Sequence, residues 1–296
     1  MSDVKVFESS EGNVWKYVFT KKDMVAESVL YRYEDFYKRT VICCSTMSGC
    51  PVGCKFCGTG NKFVRNLTAD EIIEQINYIL SDKNITDISE KGKRVQFMFM
   101  SMGEPLLNWT EVDKAIRILN KKYPSAELLI STIAPNESSN IIDMFETSKE
   151  IDKVGLQFSI HKSTDAQRDK LIPYVNKFTL EEIRDVGIIW WEKTHRHPYL
   201  NYCIDGTNNT AEDVKNLQQL FSPVVFNFTF SVVCSPNESM KEAGYNNLDA
   251  IRDFEQAFMQ KGYNTRIFNP AGQDDIGGGC GQLWYVQEWM KNNKVK

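Results

Sequence analysis

The chain has 296 residues, 42% of them hydrophobic, enough to bury one large core, and a single globular unit is the expectation. No run approaches the roughly 18 consecutive apolar residues of a membrane span, and the start, Met1-Ser-Asp-Val-Lys5, lacks the charged-then-apolar pattern of a secretory signal, so a cytoplasmic protein without membrane partners is expected. The formal net charge of −4 excludes nucleic-acid binding driven by whole-molecule charge, and any RNA contact must come from local patches.

Residues 14–20 and 24–33 are rich in β-branched and aromatic side chains and flank the polar turn Lys21-Lys22-Asp23, which predicts a β-hairpin within an amino-terminal extension, 1–39. From Thr40 to the end, 40–296, strand patterns alternate with helical ones at a spacing of about thirty residues, the size of a βα unit. The strands are expected at 40–46, 94–102, 126–132, 154–161, 200–205 and 226–233, with a last one at 265–269. The clearest helix is 68–82: Thr68 caps it, Glu71 stands three residues on as the capping-box partner, and Ile72, Ile73, Ile76 and Ile79 share one face. Further helices are expected at 110–122, 138–148, 179–192, 211–221 and 247–261. Six such repeats predict an α/β fold with a parallel sheet closed, wholly or partly, into a barrel, and chemistry belongs at the carboxyl ends of its strands. The glycine-rich stretch 270–282 is too short for a linker and reads as a functional loop.

Eight cysteines in a chain without an export signal are not read as a disulfide framework. Cys43, Cys44, Cys50, Cys54 and Cys57 crowd into fifteen positions, whereas Cys203, Cys234 and Cys280 are scattered. The spacing Cys50-x3-Cys54-x2-Cys57, directly after the first barrel strand, suits a [4Fe-4S] cluster with one iron left open. The competing reading is zinc held by three cysteines and a histidine. The chain has only His161, His195 and His197, and a zinc knuckle more often brings two Cys-x2-Cys pairs. Glu104, in Met102-Gly103-Glu104-Pro105, ends the second barrel strand, where its carboxylate could accept hydrogen bonds from an ammonium group, although a Gly-Glu-Pro alone is an ordinary charged turn. Ser131-Thr132 and Ser159-Ile160-His161 also end strands. His195 and His197 lie in a polar connection and read as surface residues. Cys203 and Cys234 read as small buried hydrophobes, while the glycines around Cys280 would leave its thiol approachable.

Ser48-Gly-Cys-Pro-Val-Gly-Cys-Lys-Phe-Cys-Gly-Thr-Gly60 resembles the cluster loop of the radical SAM superfamily. That resemblance implies a partial (β/α)6 barrel, an open iron that chelates the amino and carboxylate groups of S-adenosyl-L-methionine (SAM), and an electron donor such as flavodoxin or ferredoxin. Taken with Arg65-Asn-Leu-Thr-Ala-Asp-Glu-Ile-Ile73, Gly103-Glu-Pro-Leu-Leu-Asn108, Ser159-Ile-His161, Arg168-Asp-Lys-Leu-Ile-Pro173 and Asp274-Asp-Ile-Gly-Gly-Gly-Cys-Gly-Gln-Leu283, the chain from about 14 to about 284 resembles the radical SAM RNA adenine methyltransferases. These act on 23S ribosomal RNA and, in some members, tRNA. The resemblance implies that Gly103, Glu104, Ser131, Ser159 and His161 contact SAM, with Asn237 as the candidate for a further SAM-binding asparagine.

It also implies a reaction type. One SAM methylates Cys280, and a second yields a 5′-deoxyadenosyl radical that takes hydrogen from the S-methyl group. The resulting methylene radical adds to an sp2 carbon of adenine, carbon-2 or carbon-8, and Cys43 forms a disulfide with Cys280 as the methylated base departs. Glu27 matches the proton acceptor; its competing reading is an exposed strand glutamate.

Relatives carry a small amino-terminal domain that holds folded RNA, and with only about forty residues before the first barrel strand no counterpart is expected. Local basic candidates for RNA are Lys62 to Arg65, Lys121 to Tyr123, and His195 to Tyr199 with Trp190 and Trp191, each of which also reads as a solvated face. Two rival readings stay open. One directs the same radical methyl transfer to another RNA base or a protein side chain; the other is a non-catalytic iron–sulfur or RNA-binding relative.

Overall fold

The computed structural model of the chain describes residues 2–36, 38–60, 62–86, 88, 93–232, 248–268, 276–279 and 281–293. The strands are β1 (Asp3–Glu8), β2 (Val14–Lys21), β3 (Met24–Tyr33), β4 (Arg39–Cys44), β5 (Met47–Gly49), β6 (Phe63–Asn66), β7 (Arg94–Phe99), β8 (Glu127–Thr132), β9 (Val154–Ser159), β10 (Tyr199–Ile204), β11 (Asn227–Val232) and β12 (Thr265–Phe268). The helices are α1 (Ala69–Asp82), α2 (Trp109–Lys122), α3 (Ser138–Glu150), α4 (Asp165–Leu171), α5 (Leu180–Thr194), α6 (Ala211–Leu220), α7 (Leu248–Met259) and α8 (Tyr285–Asn292).

Ten strands form one sheet in the order β1-β2-β3-β4-β7-β8-β9-β10-β11-β12. Its first three pairings are antiparallel and the rest, from β4 onward, parallel. The expected hairpin is therefore present as β2 and β3, and β3 joins it to the parallel array through β4. The array holds the six expected barrel strands and β12 as a seventh. The sheet curls: the rings of Tyr31 on β3 and Phe268 on β12 meet edge to face at 5.7 Å, although six strands lie between theirs. A flat sheet would hold those strands about 30 Å apart.

The two faces differ. Along β8, Leu128, Ile130 and Thr132 are buried under helices, while Glu127, Leu129 and Ser131 are half-buried and face the concavity. On the outer side α1 is capped by Thr68, whose hydroxyl accepts from the Glu71 amide while the Glu71 carboxylate accepts from the Thr68 amide. Ile72, Ile76 and Ile79 are wholly buried below it, and truncating one of them to Ala should cost about 2–5 kcal/mol. Between β10, β11 and α7, Phe228, Phe230, Phe254 and Phe258 stack on one another.

Five elements were not anticipated. The edge strand β1 is almost wholly exposed and carries Asp3, Lys5 and Glu8, charges that blunt a sheet edge but hide a strand pattern. β5 and β6 span three and four residues, and α4 only seven. Such short pieces carry too few residues for a period to emerge. α8 follows the glycine-rich loop and lays Val286, Trp289 and Met290 into the core.

Candidate active site

β5 and β6 pair antiparallel across the base of the cysteine loop, with a register break at Gly49. Only glycine fits there: its φ is +78°, and a Cβ would lie 1.9 Å from the Lys62 carbonyl oxygen. The Cys50 amide donates to that same carbonyl at 2.7 Å, so the loop is closed at its neck before it carries any ligand.

Beyond the neck lies a cavity of about 170 Å³. The cysteine loop lines it with Cys50, Cys54, Phe56, Cys57 and Thr59; strand ends supply Ser101, Gly103, Glu104, Ser131, Gln157, Ser159, His161 and Asn201; the carboxy-terminal segment adds Gly279, Gly281 and Leu283. The carboxyl ends of β7, β8 and β9, with Asn201 from the middle of β10, thus line one cavity with the thiols. Among the described residues no three His, Cys, Asp or Glu side chains converge on one point as a single ion requires. Cys50, Cys54 and Cys57 all line the one cavity, and three thiols fit a multi-iron cluster that takes one thiolate per iron. Burial, with charge from Cys57 adding to it, pushes the Cys50 thiol up to about 12, and burial with the charges of Cys57 and Cys50 raises Cys54 well above the usual thiol range. A bound metal must therefore supply the charge that deprotonates them, and loading should release protons.

The other expected residues of the wall are locked in place. At Gly103 φ is +102°, and a Cβ would sit 2.7 Å from Met47 Cβ and Thr46 Oγ1. Glu104 is buried, and its carboxylate accepts from the Leu106 amide at 3.0 Å, the Thr132 hydroxyl at 2.6 Å and the Ile133 amide at 2.8 Å. Burial still pushes its carboxyl up to about 7 against those bonds. A carboxylate has about four acceptor sites, so roughly one remains for a cationic ligand. Ser131 and Ser159 stand with their hydroxyls 3.4 Å apart, and Gln157 donates to Ser131 at 3.1 Å.

His161 is buried in the left-handed region, φ 59°, and its Nδ1 accepts from the Cys203 amide at 3.1 Å. That bond assigns the proton of the neutral ring to Nε2. Burial, with Arg168 and Lys162 adding to it, holds the ring down at about 3, so His161 is a neutral donor. Its ring packs edge to face on Phe56 of the cysteine loop at 5.1 Å.

A second cluster of contacts surrounds the carboxy-terminal segment. Glu27 and Tyr31 share the inner face of β3 with Val29, and Cys43, the register partner of Val29 on β4, shares that face. Tyr31 donates to the Gly278 carbonyl at 2.6 Å, and Lys16 of β2 approaches the Gly277 carbonyl at 3.4 Å. From the cysteine loop the Gly58 amide donates to Gly281 O at 2.6 Å, Thr59 donates to Leu283 O at 2.9 Å, and Gln287 donates back to Gly58 O. Glu27 is wholly buried, not an exposed strand glutamate; its Oε2 accepts from the Tyr285 amide at 2.8 Å and its Oε1 lies 3.5 Å from Lys16 Nζ. Cys43 is buried as well. Cys280 and Asn237 lie outside the described residues.

Lys16, Tyr31, Phe56, Gln157 and Asn201 escaped the sequence reading. A polar residue on the inward register of a strand, as Gln157 and Asn201 are, was the available signal. The basic RNA candidates fare differently. Arg65 is committed to Glu71 and Asp23, and Trp190 is fully buried with Arg196 across its ring. His195 and His197 are exposed, as expected.

The family description "Radical SAM superfamily" matches residues 44–201. The chain is 33% identical over 252 residues to a protein of Thermotoga neapolitana named "Probable dual-specificity RNA methyltransferase RlmN", an alignment covering 83% of this chain and 68% of that protein. It is 35% identical to the protein of the same name from Thermotoga sp. strain RQ2, over 87% of this chain and 71% of the other. Among solved structures, a radical SAM methyltransferase from Sphaerobacter thermophilus superposes with a TM-score of 0.80 at 23% identity, covering 95% of this chain and 80% of that one, which shows a shared fold. No helix among the described residues is long and apolar enough to cross a membrane.

Proposed function

Because the chain belongs to the radical SAM superfamily and, within it, to the family of the RNA methyltransferases named RlmN, we propose that it methylates carbon-2 or carbon-8 of an adenine in tRNA or 23S ribosomal RNA through a methyl-cysteine at Cys280. One observation carries the reading: Gly279 and Gly281, the neighbours of Cys280, line the same cavity as Cys50, Cys54 and Cys57. A thiol at that point of the chain is one residue from the wall that would bind SAM.

Cys50, Cys54 and Cys57 would hold the [4Fe-4S] cluster, and Gly103, Glu104, Ser131, Ser159 and His161 would bind SAM, whose ammonium group suits the remaining acceptor site of Glu104. Bound together, cluster and SAM supply a methyl group and a carbon radical able to abstract hydrogen, once an electron donor of the flavodoxin or ferredoxin type has reduced the cluster. The chain's own residues do the rest. The Cys280 sulfur carries the methyl carbon to the adenine. Glu27 would take up the proton that the ring carbon gives up, while the unpaired electron left on the adduct would return to the cluster that supplied it; the burial of Glu27 suits a base poised near neutral pH. Cys43 then attacks the Cys280 sulfur: an S–S bond forms, the S–C bond breaks, and its electron pair leaves with the base's new carbon, which takes a proton to become methyl. For Asn237 the reading is an additional SAM contact.

The test is anaerobic reconstitution followed by incubation with methyl-labelled SAM and total RNA, nuclease digestion and mass spectrometry of nucleosides. Labelled 2- or 8-methyladenosine is expected. Label in another nucleoside or in protein, or SAM left uncleaved, overturns the proposal.

A further inference from the structure

Lys16 is a buried cation that the mechanism above does not use. Its ammonium group lies 3.5 Å from Glu27 Oε1 on one side and 3.4 Å from the Gly277 carbonyl oxygen on the other, with the Phe7 ring 5.4 Å below. The ion-pair distance to Glu27 is too long for a well-formed hydrogen bond, and among the described residues Oε1 has no hydrogen-bond partner. Among the described residues Lys16 is the charged group beside Glu27: the Tyr285 amide bonds Oε2, and Ser45 bonds the Glu27 backbone carbonyl. Lys5 on β1 reaches only as far as the Tyr285 hydroxyl, at 3.0 Å.

We propose that Lys16 is a positioning residue that couples the proton acceptor to the Cys280 segment, one ammonium group serving both the Glu27 carboxylate and the Gly277 carbonyl. The inference rests on the reading of Glu27 as proton acceptor. Its logic is that a carboxylate sealed from water must have a cation to stay ionised, and this cation is shared with the loop that delivers the methyl carbon. Burial pushes the Glu27 carboxyl up to about 7 even with Lys16 beside it, so removing the cation should leave it protonated across the neutral range.

The experiment compares Lys16→Met and Lys16→Gln with the wild-type holoenzyme by the pH profile of RNA methylation and by hydrogen exchange of the peptide spanning Gly277 to Tyr285. Lys16→Gln can still donate to the Gly277 carbonyl but lacks the charge: its acidic limb should move up by one pH unit or more, lowering the rate near pH 6 about tenfold, with exchange unchanged. Lys16→Met should show the same shift together with faster exchange, because both links are gone. Infrared difference spectra against Glu27→Gln should show the carboxyl band titrating at higher pH in both variants. If the limb and the band stay at the wild-type position in Lys16→Gln while Glu27→Gln is inactive, the coupling is wrong and the assignment of Glu27 stands. If Glu27→Gln retains full activity, the assignment itself falls, and the coupling with it.

Discussion

The two walls of the cavity are built on different plans. The wall formed by the ends of β7 to β10 is satisfied locally: Glu104 takes its donors from Leu106, Thr132 and Ile133, and His161 takes its from Cys203, all at or just beyond strand ends. The other wall, which the segment from Gly277 to Tyr285 supplies through Gly279, Gly281 and Leu283, adds to its own Gly279–Gln282 bonds a set of single bonds with distant parts of the chain, Lys16, Glu27, Tyr31, Gly58 and Thr59. A wall whose bonds are all its own keeps its shape whatever is bound. A wall held by long-range bonds keeps its place only when the fold brings those distant partners together.

This contrast can be broken from either side. The largest effect belongs to the shared floor: Cys54→Ala should abolish iron–sulfur absorbance and SAM cleavage together, and a variant retaining both would remove Cys54 from the cluster. Cys280→Ala should separate the walls, leaving 5′-deoxyadenosine formation from SAM intact while RNA methylation disappears; chromatography of the nucleoside products distinguishes these. Tyr31→Phe keeps the contact with Phe268 but leaves the Gly278 carbonyl without its donor, a loss of about 1–3 kcal/mol. RNA methylation should fall about tenfold with SAM binding unchanged, and equal losses in both would mean that the two walls move as one.

The last effect is a slope. Burial gives Glu27 a folded-state value of about 7 against an ordinary 4.5, with Lys16 the charged group acting on it. A carboxyl that holds its proton more tightly when folded stabilises the chain below pH 4.5, and that contribution is lost as pH rises towards 7, amounting to about 3 kcal/mol. Urea unfolding of the metal-free chain should show Glu27→Gln losing this part of the decline between pH 5 and 8; an unchanged slope would show that Glu27 titrates normally.

Much of the first wall was legible in the sequence, because strand, turn and polar residue follow one another within a few positions. Ser131, Ser159 and His161 could be placed by counting along β8 and β9, and Thr68 with Glu71 announced α1 by a local bond pair. The second wall was far less legible. Nothing near Lys16 or Tyr31 signals that their partners lie in a glycine-rich loop at the other end of the chain, and strand alternation alone fixes the face of Glu27 but not its burial. The partners of Arg65 were hidden for a related reason, since Glu71 and Asp23 lie on a helix and a turn whose packing only the fold brings together.

The long reach of those bonds also sets an order of events during synthesis. The Thr59 and Leu283 bond spans 224 residues, and the Glu27 and Tyr285 bond spans 258. At translation rates of about 5–20 residues per second, roughly ten to forty-five seconds pass between the appearance of the cysteine loop and that of the segment that covers it. Throughout that interval Cys50, Cys54 and Cys57 lack the side of their cavity that Gly279, Gly281 and Leu283 supply.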